Sequence, residues 1–367
     1  MNPLVELHKY GQSFWYDNMR RSLITSGELK RLVAEDGLRG MTSNPTIFEK
    51  AISGSADYDA QMAEAIRADQ GVPAILETLM VTDIQGAADI LRPVYDQSGG
   101  RDGFISLEVS PKLAHDTSGT VAEARRLFAR LARPNVMIKI PATQAGLPAI
   151  EEVISSGINV NVTLLFARAN YEQVVDAYLK GLDRAAAAGR PVDRIASVAS
   201  LFVSRVDTLL DKMLESNGAP AEMLGKAGIA NSKLLYRRYQ EIFHGPRFAT
   251  LAGRGAQPQR LLWASTSTKN PKYRDVLYVE SLIGPETVDT LPEVSIQAFR
   301  DHGRVAQTLT EGVDDCARHL DRLKEFGVDY DQTMQKLQDD GVKLFADSFD
   351  QLLAGLTAKR ETLLARA

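Results

Sequence analysis

Short apolar runs alternate along the chain with longer stretches of helical periodicity, the pattern of repeated βα units that build a parallel sheet. Runs of strand type lie at 14–17, 38–44, 104–110, 136–142, 158–164, 195–203, 260–266 and 276–283. Eight is the number that closes a barrel, so the predicted fold is α/β, a (β/α)8 barrel of the TIM type. Between strands, 120–132 and 170–188 read as crossover helices, the second stopped by Gly189 and Pro191. The connections 45–103 and 207–259 are too long to be structureless in a compact domain and are predicted to hold extra helices. Beyond the eighth run, Val305, Leu309, Val313, Cys316, Leu320 and Leu323 recur at spacings of three and four, one apolar helical stripe. Residues 285–367 are therefore expected to form a C-terminal helical extension packed on the barrel, within a single domain spanning 1–367. The same stripe can instead meet a second copy, which leaves a homodimer open.

Composition narrows the partners. An apolar share of 44% and a charged share of 25% exclude a disordered chain. Forty-three Lys and Arg against 47 Asp and Glu leave no basic excess, so neither nucleic acid nor an anionic membrane is expected as a partner. No apolar run approaches the ~20 residues of a membrane span. The lone cysteine, Cys316, cannot close an internal disulfide, and no basic-then-apolar leader opens the sequence; a cytoplasmic location is the expectation.

Polar alternation inside barrel strands is informative, because such strands are normally apolar on both faces. In 158–164 it places Asn159, Asn161 and Thr163 on one face, and in 104–110 it does the same for Ser106, Glu108 and Ser110. An antiparallel edge with one wet face would give the same alternation. The strongest signal is Lys139, flanked by Ile138 and Ile140 in mid-strand. Lysine is rarely buried without a partner. If it faces solvent it is ordinary; if it faces inward, burial favours the neutral amine, a nucleophile for carbonyls. Glu108 would then be a proton shuttle or merely the ion-pair partner of the same lysine.

Other candidates cluster at strand ends. Asn44, held extended by Pro45, either projects its amide or makes a plain turn. Asp17 is a general base or the N-cap of the next helix. Arg205 after the sixth strand, with Ser265, Ser267 and Lys269 after the seventh, could hold a phosphate, as loops after late barrel strands often do; Lys269 as plain surface charge is the alternative. The histidines, His8, His115, His244, His302 and His319, have no metal-site spacing, and no P-loop or dinucleotide fingerprint occurs, so neither a metal nor a cofactor is expected. Carbanion chemistry without a metal needs another electron sink, which a protonated lysine imine supplies.

Gly40-Met41-Thr42-Ser43-Asn44-Pro45-Thr46-Ile47-Phe48 resembles the first signature of the transaldolase family, and Met137-Ile138-Lys139-Ile140-Pro141-Ala142-Thr143 with Gly146 resembles the second. The likeness continues through 106–109, 159–166, 200–205 and 263–266, and the entry at 13–17 with the long tail is similar to the longer bacterial branch. The resemblance implies that Lys139 forms a Schiff base with a ketose phosphate, that Glu108 and Thr163 position a proton-relaying water, and that Asp17 takes the proton of the C4 hydroxyl. It implies that Asn44, Asn161 and Ser200 hold a dihydroxyacetone unit and that Arg205 and Ser265 hold the phosphate, in an enzyme needing no cofactor. Phe202 stands where the resemblance associates phenylalanine with transfer and tyrosine with simple aldol cleavage. One departure is Ser267, where familiar members carry arginine; Lys269 is expected to supply the missing charge. A fructose 6-phosphate aldolase releasing free dihydroxyacetone, or a barrel that binds sugar phosphates without catalysis, are the rival expectations.

Overall fold

The computed structural model describes residues 2–365; Met1, Arg366 and Ala367, and with them the last two positions of the expected extension, lie outside the described residues. Strands β1 (Gln12–Asp17), β2 (Gly40–Thr42), β3 (Phe104–Glu108), β4 (Val136–Pro141), β5 (Val160–Leu165), β6 (Ser197–Phe202), β7 (Arg260–Ala264) and β8 (Thr287–Leu291) close a parallel barrel in sequence order. Helices alternate with them, so the chain is a (β/α)8 TIM barrel.

Every residue of β4, β5, β6 and β8 is buried, as expected for strands covered by helices outside and side chains inside. Trp15, Phe104, Met137, Val198, Leu262 and Val288 belong to one apolar cluster. By the two-residue period they share the interior face with Asp17, Glu108 and Lys139, which lie nearer the C-terminal strand ends. Gly40 pairs with Trp15 across β1 and β2, and a Cβ there would stand 2.4 Å from the indole. Only glycine lets the indole lie flat in the barrel floor, beneath the polar layer.

Two sequence expectations need correction. The run 276–283 is not the eighth strand: Leu277–Ser281 is a short helix, and β8 follows at Thr287–Leu291, inside the stretch assigned to the extension. Short apolar runs do not distinguish strand from buried helix, and Val276, Tyr278, Val279, Leu282 and Ile283 are all buried in the structure. The stripe 305–323 is not one helix either. Residues 303–309 are irregular, and Gly312, in left-handed backbone at φ 63°, starts the helix Val313–Arg322 afresh. Leu309 and Leu323 are buried, but Val305, Val313, Cys316 and Leu320 are only half-buried, so the apolar spacing marked burial in part and continuity wrongly.

The two long connections carry helices. Residues 45–103 hold Pro45–Ser53, Asp59–Arg67 and Val72–Gln97; 207–259 complete Val203–Ser216 and add Ala227–Phe243 and Pro246–Ala252. The C-terminal helix, Tyr330–Leu364, begins at an Asp329 N-cap and runs back over the C-terminal ends of the strands. Ser348 accepts a hydrogen bond from Thr46, and Gln338 donates to the carbonyls of Ala142 and Leu164 and to the amide oxygen of Asn170.

Candidate active site

Adjacent strands put the key side chains in one row: Glu108 pairs with Lys139 and Lys139 with Asn161, while Pro141 pairs with Thr163 one step further along. Lys139 points inward and is 4% exposed, so the solvent-facing alternative falls. Its Nζ donates to the carbonyl of Ser43 at 2.9 Å and lies 3.7 Å from Glu108 Oε2. Burial pushes the Glu108 carboxyl up to about 7, although Lys139 and Arg205 pull the other way. Glu108 Oε2 and Thr163 Oγ1 are buried without a hydrogen-bond partner among the described residues, leaving an acceptor and a hydroxyl at the site.

Asp17, at the end of β1, caps no helix; the next helix begins at Arg21 with Arg20 as its N-cap residue. Thr42 donates to its carboxylate at 2.6 Å and shares a second hydrogen bond with Thr290. Burial raises the Asp17 pKa, opposed by Thr42, Lys139, Arg205 and Lys269. A carboxylate with raised proton affinity facing a cavity is suited to act as a base.

Asn161 does not border the cavity itself. It donates to Ser106 Oγ at 3.0 Å and accepts from Ser200 Oγ at 2.7 Å, so it fixes the hydroxyl of Ser200, which does border it. Asn44 stands extended rather than in a plain turn, and its side chain lies at the cavity wall; in a role the sequence did not suggest, its Oδ1 caps the helix Pro45–Ser53 by accepting from Ile47 N. Asn159 is structural, donating to the carbonyls of Pro134 and Val136 and accepting from Ala196 N. Ser110, beyond the end of β3, is not part of the cavity lining.

The cavity, about 150 Å³, opens among the strand ends and is bordered by Asp17, Lys139, Thr163, Ser200, Arg205 and Lys269. Glu108 lies behind it, beside a smaller space that also reaches Asn44. Opposite the lysine the walls are cationic. Arg205, in the first turn of Val203–Ser216, has its guanidinium 4.9 Å from the ring of Phe202 and 5.8 Å from that of Phe345. Lys269 donates to Ser267 Oγ at 2.6 Å. Burial lowers the pKa of both cations, and they depress Lys269 further by facing each other. Neither has a carboxylate within 4.0 Å among the described residues, so the pair is open to an anion. Ser265, at φ 56°, turns its hydroxyl to Ser204 Oγ at 2.8 Å. The described residues include no cluster of three or more His, Cys, Asp or Glu placed to hold a metal ion. They also include no helix long and apolar enough to cross a membrane.

Sequence reasoning missed Thr42, Ser43, Thr290, Gln338 and Phe345. Thr42 and Ser43 lie inside the first signature and were within reach. Thr290 was hidden by misplacing β8, and Phe345 and Gln338 arrive from a helix some 140 to 200 residues from the strands they cover, a proximity no local pattern encodes.

A buried lysine beside a carboxyl at the C-terminal strand ends, on a cavity that also holds a cation pair, defines a (β/α)8 barrel with a candidate active site at that end. The sequence matches the transaldolase/fructose-6-phosphate aldolase family over residues 14–356, and the chain belongs to that family. It is similar to a transaldolase of Thiobacillus denitrificans, 48% identical over 96% of this chain and 99% of that one. A protein named transaldolase 2 from a Nostoc species is 46% identical over 99% of both chains, and a Parafrankia transaldolase is 49% identical over 96% of both.

Proposed function

We propose that this chain is a transaldolase, a transferase moving a dihydroxyacetone unit reversibly from sedoheptulose 7-phosphate or fructose 6-phosphate to glyceraldehyde 3-phosphate or erythrose 4-phosphate. The observation that carries the reading is Lys139 Nζ, nearly inaccessible and 3.7 Å from Glu108. The amine attacks the C2 carbonyl of the donor. The oxygen leaves as water, with Glu108 supplying the proton through a water that Thr163 helps to hold, and a protonated imine results. Asp17 then takes the proton of the C4 hydroxyl while the C3–C4 bond breaks and its electron pair passes to the imine nitrogen. The aldose phosphate departs, and the three-carbon unit stays as an enamine on Lys139.

Asn44 and Ser200, the latter fixed by Asn161, hold the hydroxyls of that unit until the acceptor aldehyde arrives and the steps reverse. Arg205 clamps the phosphate, Lys269 supplies the charge that Ser267 cannot, and Ser265 adds a hydroxyl. Phe202 and Phe345 flank Arg205 and favour transfer by keeping bulk water from the enamine. The reading includes a place in the non-oxidative pentose phosphate pathway and a cytoplasmic location; it leaves a homodimer open, which light scattering decides.

The test is borohydride reduction with fructose 6-phosphate. A covalent adduct on Lys139 in the native chain, none in Lys139→Arg, and sedoheptulose 7-phosphate formed in a coupled assay with erythrose 4-phosphate are expected. Rapid multiple-turnover release of dihydroxyacetone without an acceptor would assign the chain to the aldolase side of the family instead. No adduct under turnover conditions would remove the mechanism.

A further inference from the structure

A second cavity, about 800 Å³ and larger than the site above, lies elsewhere. It lies at the opposite mouth of the barrel, where residues just before or at the starts of strands converge: Ser13 in β1, Arg39 before β2, Arg101 before β3, Arg194 before β6 and Arg260 opening β7. Its inner wall is closed by a saturated network. Asp102 accepts from Ser13 Oγ at 2.7 Å, from Trp15 Nε1 at 3.0 Å and from Arg260 at 3.0 Å. Above that network sits the indole of Trp15, buried against Phe104, so the two mouths are separated by packed side chains.

Asp102 and Arg260 balance each other, and Glu286 is taken up by His244 and Tyr239, from which it accepts. Asp193 meets Arg194 at 3.9 Å, a long, exposed pair that an anion can displace. Arg39 and Arg101 have no carboxylate within 4.0 Å among the described residues. Arg39 Nε instead meets His8, whose ring is bonded to the carbonyl of Gly37 and whose pKa burial and Arg39 both lower, so no counter-charge answers it there.

Helices of a barrel end at this mouth, and arginines commonly cover their free carbonyls. That explanation fails here. Backbone groups close those ends: Leu38 N to Leu32 O, Gly100 N to Tyr95 O and Arg190 N to Ala185 O, and none of the three arginine side chains donates to a helix-end carbonyl.

We propose that this mouth is a second binding site, for a small organic molecule carrying two phosphoryl groups, with Arg39, Arg101 and Arg194 as its anion contacts. Guanidinium groups bind phosphoryl oxygens in pairs, and the space matches the ~300–1,000 Å³ of small-molecule pockets. A nucleoside diphosphate and a sugar bisphosphate share this chemistry.

Isothermal titration of the full chain with inorganic pyrophosphate tests it, in an Arg205→Gln background that disables the phosphate end of the other cavity. One equivalent is expected to bind, with affinity falling at least ~10-fold in the exposed variants Arg101→Gln and Arg194→Gln and falling again as salt is raised. Neither variant is expected to change turnover in the Arg205 wild-type background without added pyrophosphate. Binding that Arg205→Gln abolishes, or that Arg101→Gln and Arg194→Gln leave unchanged, overturns the proposal. Adenosine diphosphate and fructose 1,6-bisphosphate are then titrated in parallel. Whichever exceeds pyrophosphate in affinity names the source, and failure of both to do so overturns an organic ligand.

Discussion

Replacing Glu108 by glutamine sets stability against activity, and pH decides the balance. Burial lifts this carboxyl from 4.5 to about 7, which corresponds to about 3 kcal/mol against its charged form at ~1.36 kcal/mol per pH unit. Between those two values the folded chain holds a proton that the unfolded chain has released. Stability contributed by this residue is therefore greatest below pH 4.5, falls through the window from 4.5 to 7, and is lowest above it. Glutamine resembles the protonated acid in shape and charge, so Glu108→Gln matches the native chain at pH 4.5 and exceeds it by about 3 kcal/mol at pH 8.

For 367 residues the unfolding entropy is about 0.8 kcal/mol/K, so the melting midpoint of the variant rises by about 4 °C at pH 8 and hardly moves at pH 4.5. Turnover falls in the same protein by ~10²- to 10⁴-fold, the usual worth of a general acid–base group. Circular dichroism melts at the two pH values and the coupled transfer assay read these quantities. A variant no more stable at pH 8, or more stable by the same margin at both pH values, would refute the assignment of a buried, proton-holding Glu108.

Three further substitutions separate the other roles. Asp17→Asn is expected to retain borohydride trapping of fructose 6-phosphate while losing at least ~100-fold in turnover, because imine formation precedes its step; loss of trapping as well would contradict that order. Lys269→Ala is expected to raise KM for the phosphorylated donor by ~10-fold or more with kcat nearly kept, the worth of one charge-assisted hydrogen bond, and an unchanged KM would show that Arg205 suffices. Phe345→Leu keeps apolar bulk but removes a ring face from Arg205, which at ~0.5–1 kcal/mol raises the same KM about 2- to 5-fold; an effect confined to kcat would place the ring elsewhere in the mechanism.

The barrel and the lysine were legible because both leave local marks. Alternation in 158–164 and 104–110 exposed the polar inner face, and a lysine between isoleucines has few explanations. Strand placement was reliable where runs were flanked by clear breaks. It failed at 276–283, where a buried helix carries the same apolar residues as a strand and the true β8 contains Asp289, whose burial raises its carboxyl to about 8 and which no hydrophobicity pattern would place inside. The cation pair and its aromatic partners divide along the same line. Phe202 and Arg205 share one strand end and could be read together, whereas Phe345 belongs to a distant helix. Asn161 was placed on the correct face, yet its role of fixing Ser200 needed coordinates, since a hydrogen bond between neighbouring strands depends on register.

The helix Tyr330–Leu364 supplies Phe345 and, through Gln338, ties together the ends of β4 and β5, although those strands precede it by well over a hundred residues. The cover over the cavity is thus one helix whose displacement leaves Lys139 and the strands in place. Solvent conditions that loosen this helix alone are expected to make the protein less selective among aldehydes and ketones before they unfold the barrel.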